Sequence, residues 1–208
     1  MTAIPWWNVH LFLLLNAAGD PPGRAIGCAR LVANSPDLIV PAILLGLWIW
    51  GCPARRGALI AVAGGVLAGL GINQILGLAW FEPRPFMAGL GHTWLPHAPD
   101  NGFPSDHATF VWSLGAGLVI TGASRSWGGA ACAYGAVVGW SRVYLGVHFP
   151  IDILTALPVA LAAGGLARLA RPVVAAWILP VADGLYEGTL DVLRLPAALF
   201  PRKARPSD

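Results

Sequence analysis

Apolar residues run in long blocks along this chain, and polar residues collect in short stretches between them. Five blocks, at roughly 31–52, 57–80, 104–123, 127–147 and 150–167, reach the ~20 mostly apolar residues that a helix needs to cross a bilayer. The block 57–80 holds no charged residue at all. The opening stretch 4–18 is shorter and carries Trp6, Trp7, Asn8, His10 and Asn16, a mixture that suits a helix lying in the membrane interface. After residue 172, Asp183, Glu187 and Asp191 recur every four positions with Arg194 three further on, while Trp177, Val181, Leu185 and Leu195 point elsewhere. That spacing predicts an amphipathic helix along the cytoplasmic surface or packed on the bundle, its acidic stripe a solvated face. The ending "PRKARPSD" reads as a disordered basic tail near anionic lipid. The expected architecture is therefore all-α: a polytopic membrane helix bundle of about five transmembrane helices, with an N-terminal interfacial helix and a C-terminal amphipathic helix. One domain over 1–208 is expected, with no internal repeat.

Composition supports this reading. Of 208 residues, 56% are hydrophobic and only 11% charged, against about 25% charged in an ordinary soluble domain. A net charge of +3, with no basic run interleaved with aromatics, excludes a nucleic-acid partner. Cys28, Cys52 and Cys132 have neither metal-ligand nor disulfide spacing and read as small buried hydrophobes. The N-terminus is faintly similar to a signal peptide but lacks its charged start, so it is expected to be retained.

Basic residues suggest an orientation. Arg55, Arg56, Arg125, Arg168 and Arg171 mark one set of loops, which the positive-inside rule makes cytoplasmic. Arg24, Arg30, Arg84 and Arg142 then fall on the outer side, against the rule. An exception of that kind points to function. Three stretches meet on that side: "FEPRPF" at 81–86, "GFPSDHATF" at 102–110 and "SRVYLGVHFPID" at 141–152. They supply Arg84, Ser105, His107, Arg142, His148 and Asp152. Two guanidinium forks and a hydroxyl suit a tetrahedral anion, and the helix opened by Pro104-Ser105 aims free N–H groups at the same place. His148 and Asp152 share a helical face if their helix starts near Phe149; a carboxylate on one ring nitrogen leaves the other basic, as a nucleophile requires. His107, from another helix, can protonate a departing oxygen. Singly, each such residue is more often an interfacial or helix-starting one; six together from three helix ends point to a site. Histidines flanked by arginines repel cations, so no metal is expected.

These residues resemble a known family. "RP" at 84–85, "PSDH" at 104–107 and the SR-x5-H-x3-D of 141–152 are similar to the three signature motifs of the type 2 phosphatidic acid phosphatase (PAP2) superfamily. Within it, residues 80–110 most resemble bacterial undecaprenyl-diphosphatases of the bacitracin-resistance type. The resemblance covers about residues 5–167, with the core motifs in 57–167. It implies a bacterial cytoplasmic-membrane enzyme with its site facing outward. That enzyme would hydrolyse undecaprenyl diphosphate to undecaprenyl phosphate, in recycling of the envelope lipid carrier, without a cofactor. His148 would form a phosphohistidine, Asp152 would orient it and His107 would serve as acid. Arg84, Ser105 and Arg142 would hold phosphoryl oxygens. The alternatives are another lipid phosphate (phosphatidylglycerol phosphate, phosphatidate or a lipid A phosphate), transfer to a lipid acceptor, or a non-catalytic lipid-diphosphate binder. Two departures stand out. Gly77 occupies the position of the family's usual lysine, and Asp106 replaces a glycine, bringing a carboxylate that would repel phosphate unless turned away.

Overall fold

The computed structural model describes residues 4–196 and 199–200. Eight α-helices follow in order among them: α1 (Trp6–Leu15), α2 (Gly23–Asn34), α3 (Pro36–Ile49), α4 (Pro53–Ala79), α5 (Asp106–Thr121), α6 (Arg125–Tyr144), α7 (Pro150–Val173) and α8 (Leu179–Val192). Among the described residues β structure is limited to one isolated bridge, Pro83 with Asn101. The basic ending 201–208 lies outside the described residues.

α5 is the axis of the bundle, packed against α4, α6 and α7, and nearly all its positions from Ala108 to Leu118 are buried. Lipid tails are as apolar as leucine, so helices in a membrane gain from close backbone approach at small residues. Gly115 of α5 faces Gly128 of α6, where a Cβ would sit 3.1 Å from the Gly128 carbonyl oxygen. A Cβ on Gly65 of α4 would come within 2.6 Å of the Ala163 oxygen of α7.

Two helical stretches, Arg55–Ala79 and the continuous run Pro150–Val192, are long and apolar enough to cross a membrane. The pair Gly23–Asn34 and Pro36–Ile49, bent by 49°, supplies a third. The first span is thus not the single helix expected at 31–52. Pro36 has no N–H for the Val32 carbonyl; Ser35 Oγ donates to that oxygen instead, at 2.9 Å, and lies 2.5 Å from the Tyr134 hydroxyl of α6. α5, at 16 residues, extends about 24 Å.

α1 sits against α6 and α7. Phe12 packs edge-on to Phe149 with centroids 5.2 Å apart, and Asn8 Oδ1 accepts the Ile151 N–H at 3.1 Å. Ten residues span only about 15 Å, and those contacts fall at the start of α7.

At the other end, α7 passes through a π-helical turn at Val174–Ile178 into α8. The acidic stripe is not wholly a solvated face: Asp183 is buried and pairs with Arg56 Nη1 at 3.2 Å. The Arg56 guanidinium lies 4.3 Å from the Tyr186 ring centroid and 5.5 Å from that of Trp48. The sequence spacing hides this because the partner is 127 residues away. The cysteine expectation also fails in part, since Cys28 and Cys52 are exposed.

Candidate functional site

All six residues singled out in the sequence come together where α4 ends and α5 and α7 begin. Arg84, His107, Arg142 and His148 line a cleft of about 390 Å³. Ser105 and Asp152 are wholly buried behind it, and the Ser105 N–H donates to the Asp152 carbonyl at 3.1 Å, fastening the start of α5 to α7.

The His148–Asp152 pair follows from how α7 begins. Phe149 precedes Pro150 at the first helical position, and Asp152 closes the first turn by accepting the Phe149 N–H on Oδ2 at 2.8 Å. The same Oδ2 lies 3.3 Å from His148 Nδ1. One carboxylate oxygen therefore caps the helix and holds the imidazole. On the other side of the ring, Arg84 Nη1 lies 3.1 Å from Nε2. An arginine only donates, so the network assigns the ring proton to Nδ1 and the lone pair to Nε2. Burial, reinforced by Arg142 and Arg84, holds the His148 pKa well below the ordinary range and keeps the ring neutral.

The two arginines differ. Arg84 gives Nε to Asp100 at 2.7 Å, Nη1 to the Val147 carbonyl at 2.9 Å and to His148, and Nη2 to the Asn101 carbonyl at 3.1 Å, engaging most of its five donors. Arg142 is buried to the same degree, yet its Nε and Nη2 have no protein hydrogen-bond partner. Neither does Ser105 Oγ. Leaving a buried donor unmade costs about 1–3 kcal/mol each, more when it is charged. Arg142 lines the cleft with His148 and Ser105 caps α5 behind it, so these unpaired donors have the chemistry to meet an anion with several oxygens.

Both departures from the family pattern have a structural answer. Asp106 is turned toward α4: Asn73 Nδ2 donates to Oδ1 at 2.9 Å and Gln74 Nε2 to Oδ2 at 3.3 Å. At Gly77 the neighbouring space belongs to Asn101, whose Nδ2 donates to the Gly77 and Trp80 carbonyls, both at 2.8 Å. A Cβ on Gly77 would stand 3.2 Å from that nitrogen.

Sequence reasoning missed Asn73, Gln74, His97, Asp100 and Asn101, all of which line the cleft. The signal for the loop residues was "HAPDN" at 97–101, a polar cluster just before the second motif. Among the described residues no group of three or more His, Cys, Asp or Glu side chains could hold a metal ion.

An all-helical bundle with a buried imidazole–carboxylate pair and unpartnered anion donors at one end defines a phosphate-handling membrane protein. Residues 58–174 match the PAP2 superfamily, and the chain belongs to that family. It is 36% identical over 151 residues to YbjG of Escherichia coli K12, covering 72% of this chain and 75% of that one. It is 40% identical over 137 residues to the undecaprenyl-diphosphatase BcrC of Bacillus subtilis, covering 64% and 69%. Its fold matches the crystal structure of LpxE from Aquifex aeolicus with a TM-score of 0.60 at 21% identity, over 77% of this chain and 94% of that one.

Proposed function

We propose that this protein is an undecaprenyl-diphosphate phosphatase acting through a phosphohistidine. The observation that carries the reading is His148, held at Nδ1 by Asp152, in the cleft that Arg142 also lines, together with Arg142 Nε and Nη2 and the buried Ser105 Oγ left without a protein partner. The terminal phosphoryl group sits among these donors. His148 Nε2 attacks phosphorus, and Arg84 Nη1 passes its N–H from the ring nitrogen to a phosphoryl oxygen. A bond from Nε2 to phosphorus forms as the bridging P–O bond breaks, and the electron pair departs with undecaprenyl phosphate. Asp152 keeps the proton on Nδ1 and offsets the positive charge of the phosphoimidazole. His107 donates a proton to the leaving oxygen and then takes one from the water that releases inorganic phosphate. Positioning and fixed charge are what phosphoryl transfer mainly requires.

The similarity to the undecaprenyl-diphosphatase BcrC supports this choice of lipid. Five crossings, by the α2–α3 pair, α4, α5, α6 and α7, would put Arg55, Arg56, Arg125, Arg168 and Arg171 in the cytoplasm and the cleft outside. Two ends are distinct in the packing: Arg171 Nη1 donates to the Thr121 carbonyl at 2.8 Å, far from the His148 end of α7. Leu78 at the cleft rim gives the prenyl chain a way to stay in lipid.

The test is phosphate release, without added metal, from undecaprenyl diphosphate, phosphatidate, phosphatidylglycerol phosphate and a lipid A phosphate, with wild type and His148→Ala. The diphosphate is expected to be preferred and the variant inactive while still binding lipid. Preference for a monoester would sink the substrate assignment; unchanged turnover in His148→Ala would sink the mechanism.

A further inference from the structure

The cleft holds a second imidazole–carboxylate pair outside the three motifs. His97 lines the cleft with Arg84, Arg142, His107 and His148. Its ring stands edge-on to that of His148, with centroids 6.5 Å apart and planes at 74°. The His97 side chain is 22% exposed and that of His148 3%, so His148 forms the floor and His97 the mouth. His97 Nδ1 lies 3.1 Å from the Ala98 carbonyl oxygen and 3.6 Å from Asp100 Oδ1. A carbonyl only accepts, so Nδ1 carries the proton and Nε2 is the nitrogen without a protein partner. Asp100 Oδ1 also takes Arg84 Nε at 2.7 Å. One guanidinium thus ties the two pairs together, touching Asp100 on one side and His148 Nε2 on the other.

We propose that His97, backed by Asp100, is a specificity-determining residue: protonated as substrate binds, it holds the second phosphate of a lipid diphosphate and favours diphosphates over monoesters. The proposal rests on the phosphatase reading above. In-line attack places the leaving group on the side of phosphorus away from the nucleophile. With the terminal phosphoryl on the Ser105 and Arg142 donors and His148 attacking from the floor, the leaving group lies toward the mouth, where His97 is.

The two substrate classes demand different things there. A monoester expels an alkoxide, which the proton from His107 neutralises in full. A diphosphate expels a phosphate that stays anionic even when His107 has protonated its leaving oxygen, and that remaining charge needs a counter-cation. The family's usual lysine is absent at Gly77, and an imidazolium at His97 supplies a positive charge at the same cleft.

The charges around His97 fit a group that titrates with its ligand. Arg84, Arg142, His107 and His148 face it, Asp100 is the carboxylate beside it, and Asp106, which also lines the cleft, has both carboxylate oxygens engaged by Asn73 and Gln74. Burial, with Arg84 and Arg142, lowers the His97 pKa, and the hydrogen bond to the Ala98 carbonyl, with a smaller part from Asp100, partly restores it. A polyanion between these groups reverses the balance, and His97 takes a proton from water on binding.

The experiment compares kcat/KM for undecaprenyl diphosphate and phosphatidate in wild type, His97→Ala and His97→Lys. Loss of a charge-assisted hydrogen bond should lower the diphosphate-to-phosphatidate ratio of His97→Ala by about tenfold to a hundredfold. His97→Lys should restore much of that ratio. Because a proton gained on binding favours binding at low pH, wild-type kcat/KM for the diphosphate should fall as pH rises above the lowered His97 pKa of the free protein, and level off above its raised pKa in the complex. The fall should be flattened in His97→Lys. Equal losses on both lipids, or no loss in His97→Ala, would overturn the proposal while leaving the phosphatase reading intact. Failure of wild type to turn over the diphosphate would overturn both.

Discussion

Replacing Asp152 by asparagine separates what its carboxylate does by shape from what it does by charge. The amide has one oxygen where the carboxylate has two, and its surroundings decide where that oxygen goes. Oδ2 accepts the Phe149 N–H at 2.8 Å and faces His148 Nδ1 at 3.3 Å, whereas Oδ1 has no protein partner. Placing the NH2 at Oδ2 would set donor against donor twice. The oxygen therefore stays at Oδ2, and the proton stays on His148 Nδ1. On the proposed mechanism, the variant keeps the nucleophilic tautomer and loses the negative charge beside a ring that becomes cationic when phosphorylated. The difference between a charged and a neutral buried hydrogen bond is about 1–2 kcal/mol, and a buried NH2 left at the Oδ1 site costs a similar amount. Taking about 2 kcal/mol as reaching the transition state gives a loss of roughly thirtyfold in kcat. His148→Ala removes the nucleophile and should lose on the order of 10⁶-fold, as nucleophile deletions in hydrolases do. The assay is inorganic phosphate release from undecaprenyl diphosphate by purified, monodisperse variants at saturating lipid. Activity of Asp152→Asn at the His148→Ala floor would refute the reasoning, because it would mean that the ring had changed tautomer. Wild-type activity would refute it from the other side, because the charge would then be unused.

Four further outcomes follow from the packing. Arg142→Ala should lower kcat/KM by about a hundredfold while thermal stability holds, since Arg142 Nε and Nη2 have no protein partner to lose. Arg84→Ala should lower both activity and unfolding temperature, because its guanidinium ties Asp100, Asn101 and Val147 together. Asp183→Ala removes the carboxylate that meets Arg56 at 3.2 Å in its buried site beside Trp48 and Tyr186; breaking such a pair costs up to about 3–5 kcal/mol. The check is thermal unfolding in detergent, with KM for the lipid unchanged. Restoring the family's usual residue by Gly77→Lys should lower stability without raising phosphate release, since its Cβ presses on Asn101 Nδ2 at 3.2 Å. A gain in turnover there would show that the Asn101 anchor yields.

How much of this could be read from sequence depends on the range of the interactions. Apolar block length placed α4 and α7, and the i, i+4 spacing placed His148 beside Asp152, because both are properties of consecutive residues. The break in the first span escaped because it depends on Ser35 taking over the carbonyl that Pro36 cannot serve, with Tyr134 holding the bend from α6. The burial of Asp183 escaped for a similar reason. A stripe of carboxylates every four residues looks solvated until a guanidinium from the start of α4 reaches one of them.

The loop between α4 and α5 is the sharpest case, and it changes how the missing lysine should be understood. Read as a motif, Gly77 is a lost charge. In the fold, the absence of a side chain lets Asn101 reach the Gly77 and Trp80 carbonyls, and Asn101 Oδ1 in turn accepts the N–H groups of Glu82 and Phe103. Those bonds hold the chain on both sides of Asp100, which holds Arg84, which touches His148. A lysine at 77 would compete with Asn101 for that space, so the substitution and the ordered loop go together. The same loop carries His97 to the mouth of the cleft. In the proposal above, the positive charge missing at position 77 comes from this loop, through His97, and the glycine is what leaves room for the loop's Asn101 anchor.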